Sequence, residues 1–204
     1  MYPGLQPAVV AYGERCLRAG YDLLVTSTGA LTDDALHARL HAIARQQGRL
    51  HLCSGAMPGL DWLQAAAMGG GVKQVRVVQS KPPASWIGTV AEEQVQAIAD
   101  WDAQGPLTIF EGVAREAAAA FPKSSNVTAT LALATVGLDA TQVRLVADPK
   151  PFFSTHLELE SAAGKISIEA EHRPSATNPK TSADVALSVL RSLRAVCSPV
   201  YVGT

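Results

Sequence analysis

His156 ends the irregular stretch Asp148-Pro149-Lys150-Pro151-Phe152-Phe153-Ser154-Thr155 and opens the run Leu157-Glu158-Leu159-Glu160. Apolar and acidic residues alternate from there on. On a strand, that alternation sends Leu157 and Leu159 to one face and His156, Glu158 and Glu160 to the other. An imidazole at a strand's mouth, beside carboxylates, is a group that can accept or deliver a proton near neutral pH. A solvated surface histidine has the same local pattern, so the neighbourhood has to decide. Lys81 and Lys180 are compact cations of the kind that meet carboxylates, although most lysines are simply solvated. His37 and His41 stand four residues apart on a helical pattern, a spacing zinc sites use. No Glu follows His37 and no third ligand is evident in the sequence, so no metal site is expected.

The elements that must position these residues change character near Gly71. Before it, residues 7–19 read as a helix closed by Gly20. Residues 21–26 form a short, nearly all-apolar run of the kind buried parallel strands show. Ser27 to Ala30 reads as a turn. Thr32 or Asp33 can cap a helix running to about residue 47, where Gly48 stops it. Residues 50–53 form the next strand, Ser54 to Gly59 a loop, and residues 60–68 a helix ended by Gly69-Gly70-Gly71. This is the rhythm of a doubly wound parallel sheet, which binds ligands at the carboxyl ends of its strands. Two loops sit there, and both are rich in small residues that let a ligand approach the backbone. Ordinary strand-to-helix turns have the same composition.

After Gly71 strands follow one another more closely. Strands are predicted at 72–78, 107–110 and 143–147, and a hairpin at 157–160 and 165–170 around Ser161-Ala162-Ala163-Gly164. Helices are predicted at 90–101, 114–120, 127–135 and 183–196, with a rigid break at Lys81-Pro82-Pro83. This half reads as α+β, with a sheet at least partly antiparallel. No internal repeat or low-complexity segment is present.

Composition removes several functions. The 204 residues are 48% hydrophobic and 17% charged, with a formal net charge of −1. That composition excludes a disordered chain, and the absence of a basic cluster disfavours nucleic acid or an anionic membrane as partner. No run of about 18 apolar residues exists to span a membrane. The N-terminus lacks the basic and apolar regions of a secretory signal. Cys16, Cys53 and Cys197 are odd in number and widely spaced, which fits neither a disulfide framework nor a metal pattern. A cytoplasmic location is the expectation.

Six short motifs fall in order: Ser27-Thr28-Gly29-Ala30-Leu31; Ser54-Gly55-Ala56 with Gly59-Leu60-Asp61; Lys81-Pro82-Pro83; Phe121-Pro122-Lys123 with Asn126-Val127; Ala147-Asp148-Pro149 with His156; and Asn178-Pro179-Lys180-Thr181-Ser182. Together they resemble the NAD(P)-dependent L-aspartate dehydrogenases over about residues 7–196. The resemblance implies an α/β fold, with a partial Rossmann cofactor domain (1–71), an α+β catalytic and dimerisation domain (72–175), and a C-terminal helix (176–204) returning to the Rossmann side. It implies a homodimer, NAD or NADP as cofactor and a link to NAD biosynthesis. The implied reaction moves hydride from Cα of L-aspartate to the nicotinamide ring, giving iminoaspartate, which water hydrolyses to oxaloacetate and ammonia. By the same resemblance His156 matches the active-site histidine, and Ala56 and Asn126 match positions that contact NAD. Asn126 also suits a helix N-cap, since it precedes an apolar run.

Two departures stand out. Where the family carries an asparagine two places before the histidine, this sequence has Ser154, whose hydroxyl is shorter and makes fewer bonds than an amide. No G-x-G-x-x-G strand–turn–helix unit precedes residue 7, so the expectation is a chain that starts partway through the Rossmann domain, short of about 60–80 residues. A non-catalytic dimerising remnant, or a related dehydrogenase acting on another amino or oxo acid, are the alternative functions.

Overall fold

In the computed structural model, residues 5–177 and 181–200 are described. The first sheet is small. Strands β1 (Leu23–Val25) and β2 (Leu50–Leu52) pair in parallel, from Leu23 opposite Leu50 to Val25 opposite Leu52. Helix α1 (Leu5–Arg18) leads into β1, and α2 (Asp34–Ala44) links the strands. Asp33 caps α2 as the sequence predicts, its carboxylate accepting the Leu36 N–H at 3.0 Å. Such a cap is worth about 1 kcal/mol. Leu17, Leu31, Leu36 and Leu40 form the core here, none more than 2% exposed. The predicted turn after β1 is instead a buried 3-10 turn, Thr28–Thr32.

The second sheet has five strands in the order β4-β5-β3-β6-β7: Leu107–Val113, Thr141–Ala147, Gln74–Lys81, Phe153–Ser161 and Gly164–His172. β3 runs parallel to β5 and antiparallel to β6; β4–β5 and β6–β7 are antiparallel. The mixed sheet expected from closely spaced strands is therefore present. β6 and β7 form the predicted hairpin, with Ser161 opposite Gly164 and only Ala162 and Ala163 between them.

Alternation decides which face of this sheet is covered. Val75, Val77, Val143, Leu145, Leu157 and Leu159 are at most 2% exposed. They pack with Leu63 and Ala66 of α3 (Leu60–Met68), Ala114 and Ala117 of α6 (Ala114–Ala120), Leu131 and Ala132 of α7 (Asn126–Ala134), and Trp86. Each fully buried leucine contributes roughly 1.5–3 kcal/mol. The opposite face is polar: Arg144 binds Glu111 at 2.8 Å and Arg76 reaches the same carboxylate at 3.7 Å.

The predicted helix at 90–101 is broken in two. α4 (Glu92–Gln96) ends, and α5 (Trp101–Gln104) starts afresh with Asp100 as its cap, accepting the N–H groups of Asp102 and Ala103. A local carboxylate bond of that kind competes with helix continuation. The last helix, α8 (Asp184–Cys197), lies against the end of β2, with the Cys53 thiol 2.8 Å from the Ser188 hydroxyl.

Candidate functional site

The two sheets meet at a seam held by α7. Ser125, not Asn126, is the N-cap of α7, which corrects the N-cap reading of Asn126. The Asn126 side chain reaches out of the helix, its oxygen accepting the Gly29 N–H at 3.0 Å. Its backbone carbonyl accepts the hydroxyls of Thr28 at 2.7 Å and Thr130 at 2.9 Å. The 3-10 turn is thereby bolted to the first turn of α7. Gly29 is needed for that close approach, because an added Cβ would stand 2.5 Å from the Ser125 hydroxyl.

Beside this clamp lies a cavity of about 210 Å³. The carboxyl end of the small sheet gives it Thr26, Cys53, Ser54, Gly55 and Ala56. Asn126 and Lys123 come from the start of α7 and the turn before it. The large sheet adds Gln79, Lys81, Ser154, Thr155 and His172. Ala56 and Asn126, which the resemblance matches to positions that contact NAD, both line this one space. Gly55, at φ +62, turns the chain so that small residues form the wall on the β2 side.

Lys81 is the expected lysine that the structure places in the cavity. Its ammonium lies 5.2 Å from the centre of the Trp86 ring, a cation–π contact. Burial disfavours the charged form and brings its pKa down to about 8. The second lysine named for the same role, Lys180, lies outside the described residues.

His156 stands elsewhere. The alternation read from the sequence holds: Leu157 and Leu159 are buried, and His156 is on the opposite, open face with Glu158. Its Nε2 is 3.0 Å from the Ser167 hydroxyl and 4.0 Å from the Glu158 carboxylate. It is not among the residues lining the cavity; Ser154, two residues earlier on the same strand, is. His37 and His41 pack edge to face at 6.3 Å on α2, and burial with the neighbouring His41 lowers the pKa of His37. Among the described residues no group of three or more His, Cys, Asp or Glu is placed to hold a metal.

His172, which belongs to none of the motifs singled out above, is 4% exposed and lines the cavity. A signal was there. In Ile166-Ser167-Ile168-Glu169-Ala170-Glu171-His172 the apolar residues fall on alternate positions, and His172 shares their register. A histidine on the apolar register of a strand is a buried one.

A model of the family described as aspartate dehydrogenase, C-terminal, matches residues 61–196 of the 204. The chain belongs to the aspartate dehydrogenase family. Among its relatives, the L-aspartate dehydrogenase of Serratia proteamaculans is 46% identical over 191 residues, spanning 93% of this chain and 71% of the relative. The L-aspartate dehydrogenase of Methanosarcina acetivorans is 37% identical over 203 residues, spanning 98% and 73%. The crystal structure of aspartate dehydrogenase from Thermotoga maritima superposes with a TM-score of 0.76 at 27% identity, over 97% of this chain and 75% of that one. The α/β fold of this aspartate dehydrogenase family member is thus shared along nearly its whole described length. No helix among the described residues is long and apolar enough to cross a membrane.

Proposed function

We propose that this chain is an L-aspartate dehydrogenase that uses NAD or NADP. The observation that carries the reading is the cavity, which draws Ala56, Asn126 and Lys81 from three distant parts of the sequence into one small space. Its size suits an amino acid beside the reacting end of a dinucleotide. The β2 end supports the fit: Ser54, Gly55 and Ala56 would offer backbone and small side chains to a planar ring, and Asn126 lines the space beside them. The cofactor, when bound, accepts the hydride that leaves Cα. Everything else falls to the side chains. Lys81 and Lys123 offer positive charge to the two carboxylates of the substrate. The substrate ammonium must lose a proton before hydride departs, and the imine must then gain water. The resemblance assigns this proton work to His156, on the open face of β6, two residues from Ser154.

The same reading assigns residues 1–71 to a Rossmann cofactor domain, 72–175 to a catalytic and dimerising domain, and 176–204, which contain α8, to a segment returning to the Rossmann side. It carries with it a cytoplasmic homodimer; three free thiols suit a reducing compartment. Purified protein, mixed with L-aspartate and either NAD or NADP, should raise absorbance of the reduced nicotinamide and release ammonia and oxaloacetate. Comparing the two coenzymes fixes the preference, and light scattering fixes the oligomeric state. Failure to reduce either coenzyme with L-aspartate, or faster reduction with L-glutamate or L-alanine, would sink the proposal.

A further inference from the structure

The cavity holds an imidazole of its own, on the opposite face of the sheet from His156. His172 closes β7 opposite Phe153, the first residue of β6. Phe153 and Thr155 are buried on the helix-covered face, as are Gln79 and Leu157, so the pairing places His172 on that face as well. His172 Nδ1 is hydrogen-bonded to the carboxylate of Asp184, at the start of α8. His172 Nε2 is buried and has no hydrogen-bond partner. A buried nitrogen left unpaired costs free energy, and native structures keep few of them without a reason.

Asp184 can only accept while it is ionised, so in the neutral ring the proton sits on Nδ1. The lone pair is then on Nε2. A carboxylate that orients an imidazole in this way is a recurring device for presenting one nitrogen to a reacting partner. The same cavity has two ammonium groups for carboxylates, Lys81 and Lys123, and hydroxyls from Ser80, Ser154 and Thr155. A compact acceptor for a positively charged donor completes the set that an amino acid with two carboxylates requires.

We infer that His172 is a further substrate-facing residue, whose Nε2 accepts a hydrogen bond from the α-ammonium group of the amino acid, with Asp184 as the positioning residue that fixes its tautomer. The inference rests on the proposed amino-acid substrate and adds to it the group that recognises the amine. It leaves hydride and proton balance unchanged, since the contact is made in the bound complex.

The experiment uses the full chain labelled with ¹⁵N-histidine, in the presence of NADH, titrated with L-aspartate and separately with succinate. Succinate has the two carboxylates and lacks the amine. The signal lost in His172→Asn identifies the ring. L-Aspartate should shift the His172 Nε2 resonance and succinate should not. In steady state, His172→Asn should raise KM for L-aspartate by about tenfold or more, as loss of a hydrogen bond to a charged group does. KM for the coenzyme should stay within about twofold on the same scale. Asp184→Asn, at a partly exposed position, should shift KM for L-aspartate in the same direction and by less. An unmoved His172 resonance, an equal response to succinate, or unchanged KM values overturns the inference. A His172 shift in a protein that reduces no coenzyme supports this contact and sinks the dehydrogenase reading alone.

Discussion

The two faces of the five-stranded sheet hold their histidines on opposite terms. On the open face, His156 is bonded to a neighbouring serine and lies beside a row of charges, with a side chain 40% exposed. On the covered face, His172 is 4% exposed, fixed by Asp184 at one nitrogen and unpaired at the other. The rings lie on adjacent strands of one hairpin. Their difference comes from strand parity: moving one position along a strand exchanges a core neighbour for solvent. The family resemblance points to the open-face ring, whereas the cavity geometry points to the covered one. Proton chemistry and substrate recognition can therefore be divided between them, and mutation can test the division.

The largest expected effect separates the rings directly. His156→Ala should lower kcat by about 10²-fold or more, the usual worth of a general acid or base, while leaving NADH affinity close to wild type. Turnover near wild type, measured beside His172→Asn, would move the proton work to the covered face. The next effect tests the packing that keeps the faces distinct. Leu157 is wholly buried between the two rings in sequence. Leu157→Ala should cost about 2–5 kcal/mol in denaturant unfolding. A loss under about 1 kcal/mol would mean that the face relaxes around the void.

The smallest effect is a pH dependence on the covered face. Burial lowers the pKa of Lys81 to about 8, so its positive charge prevails below that pH and fades above it. KM for L-aspartate should then climb as pH rises through about 8, and Lys81→Met should flatten that climb. The sign for stability is the reverse. The fold disfavours the lysine cation relative to the unfolded chain, so Lys81 contributes least below pH 8, and its contribution improves from there toward the ordinary lysine pKa of about 10.4. A KM that stays flat across this range would separate Lys81 from the substrate carboxylates.

Much of this arrangement could be read from residue order. The helices Leu60–Met68 and Ala114–Ala120 match the residue bounds predicted for them, because Gly69 and Pro122 are clear stops. The hairpin was legible in its alternation; Ala56 and Asn126 were named by resemblance alone, and both line the cavity. Other features depended on the third dimension. β6 begins at Phe153 and not at 157, since Ser80 and His172 offer pairing partners that no local pattern reveals. Asn126 looked like a cap, yet its oxygen serves Gly29 across the seam. His172 was visible in principle, but Asp184, which gives it meaning, lies on another element beyond residues 178–180.

The mixed direction of β3 and its neighbours has a consequence for how the protein comes together. β6 and β7 are joined by a two-residue turn, so their ladder closes a short loop and can form within microseconds. β3 and β5 must find each other across α4, α5, β4, α6 and α7, a slow, long-range search. His172 and Ser154 occupy the open end of the early hairpin, farthest from its turn. The cavity draws Gln79, Ser80 and Lys81 from β3 as well as Ser154 and His172 from the hairpin, so the local ladder alone does not build it and the long-range pairings are needed.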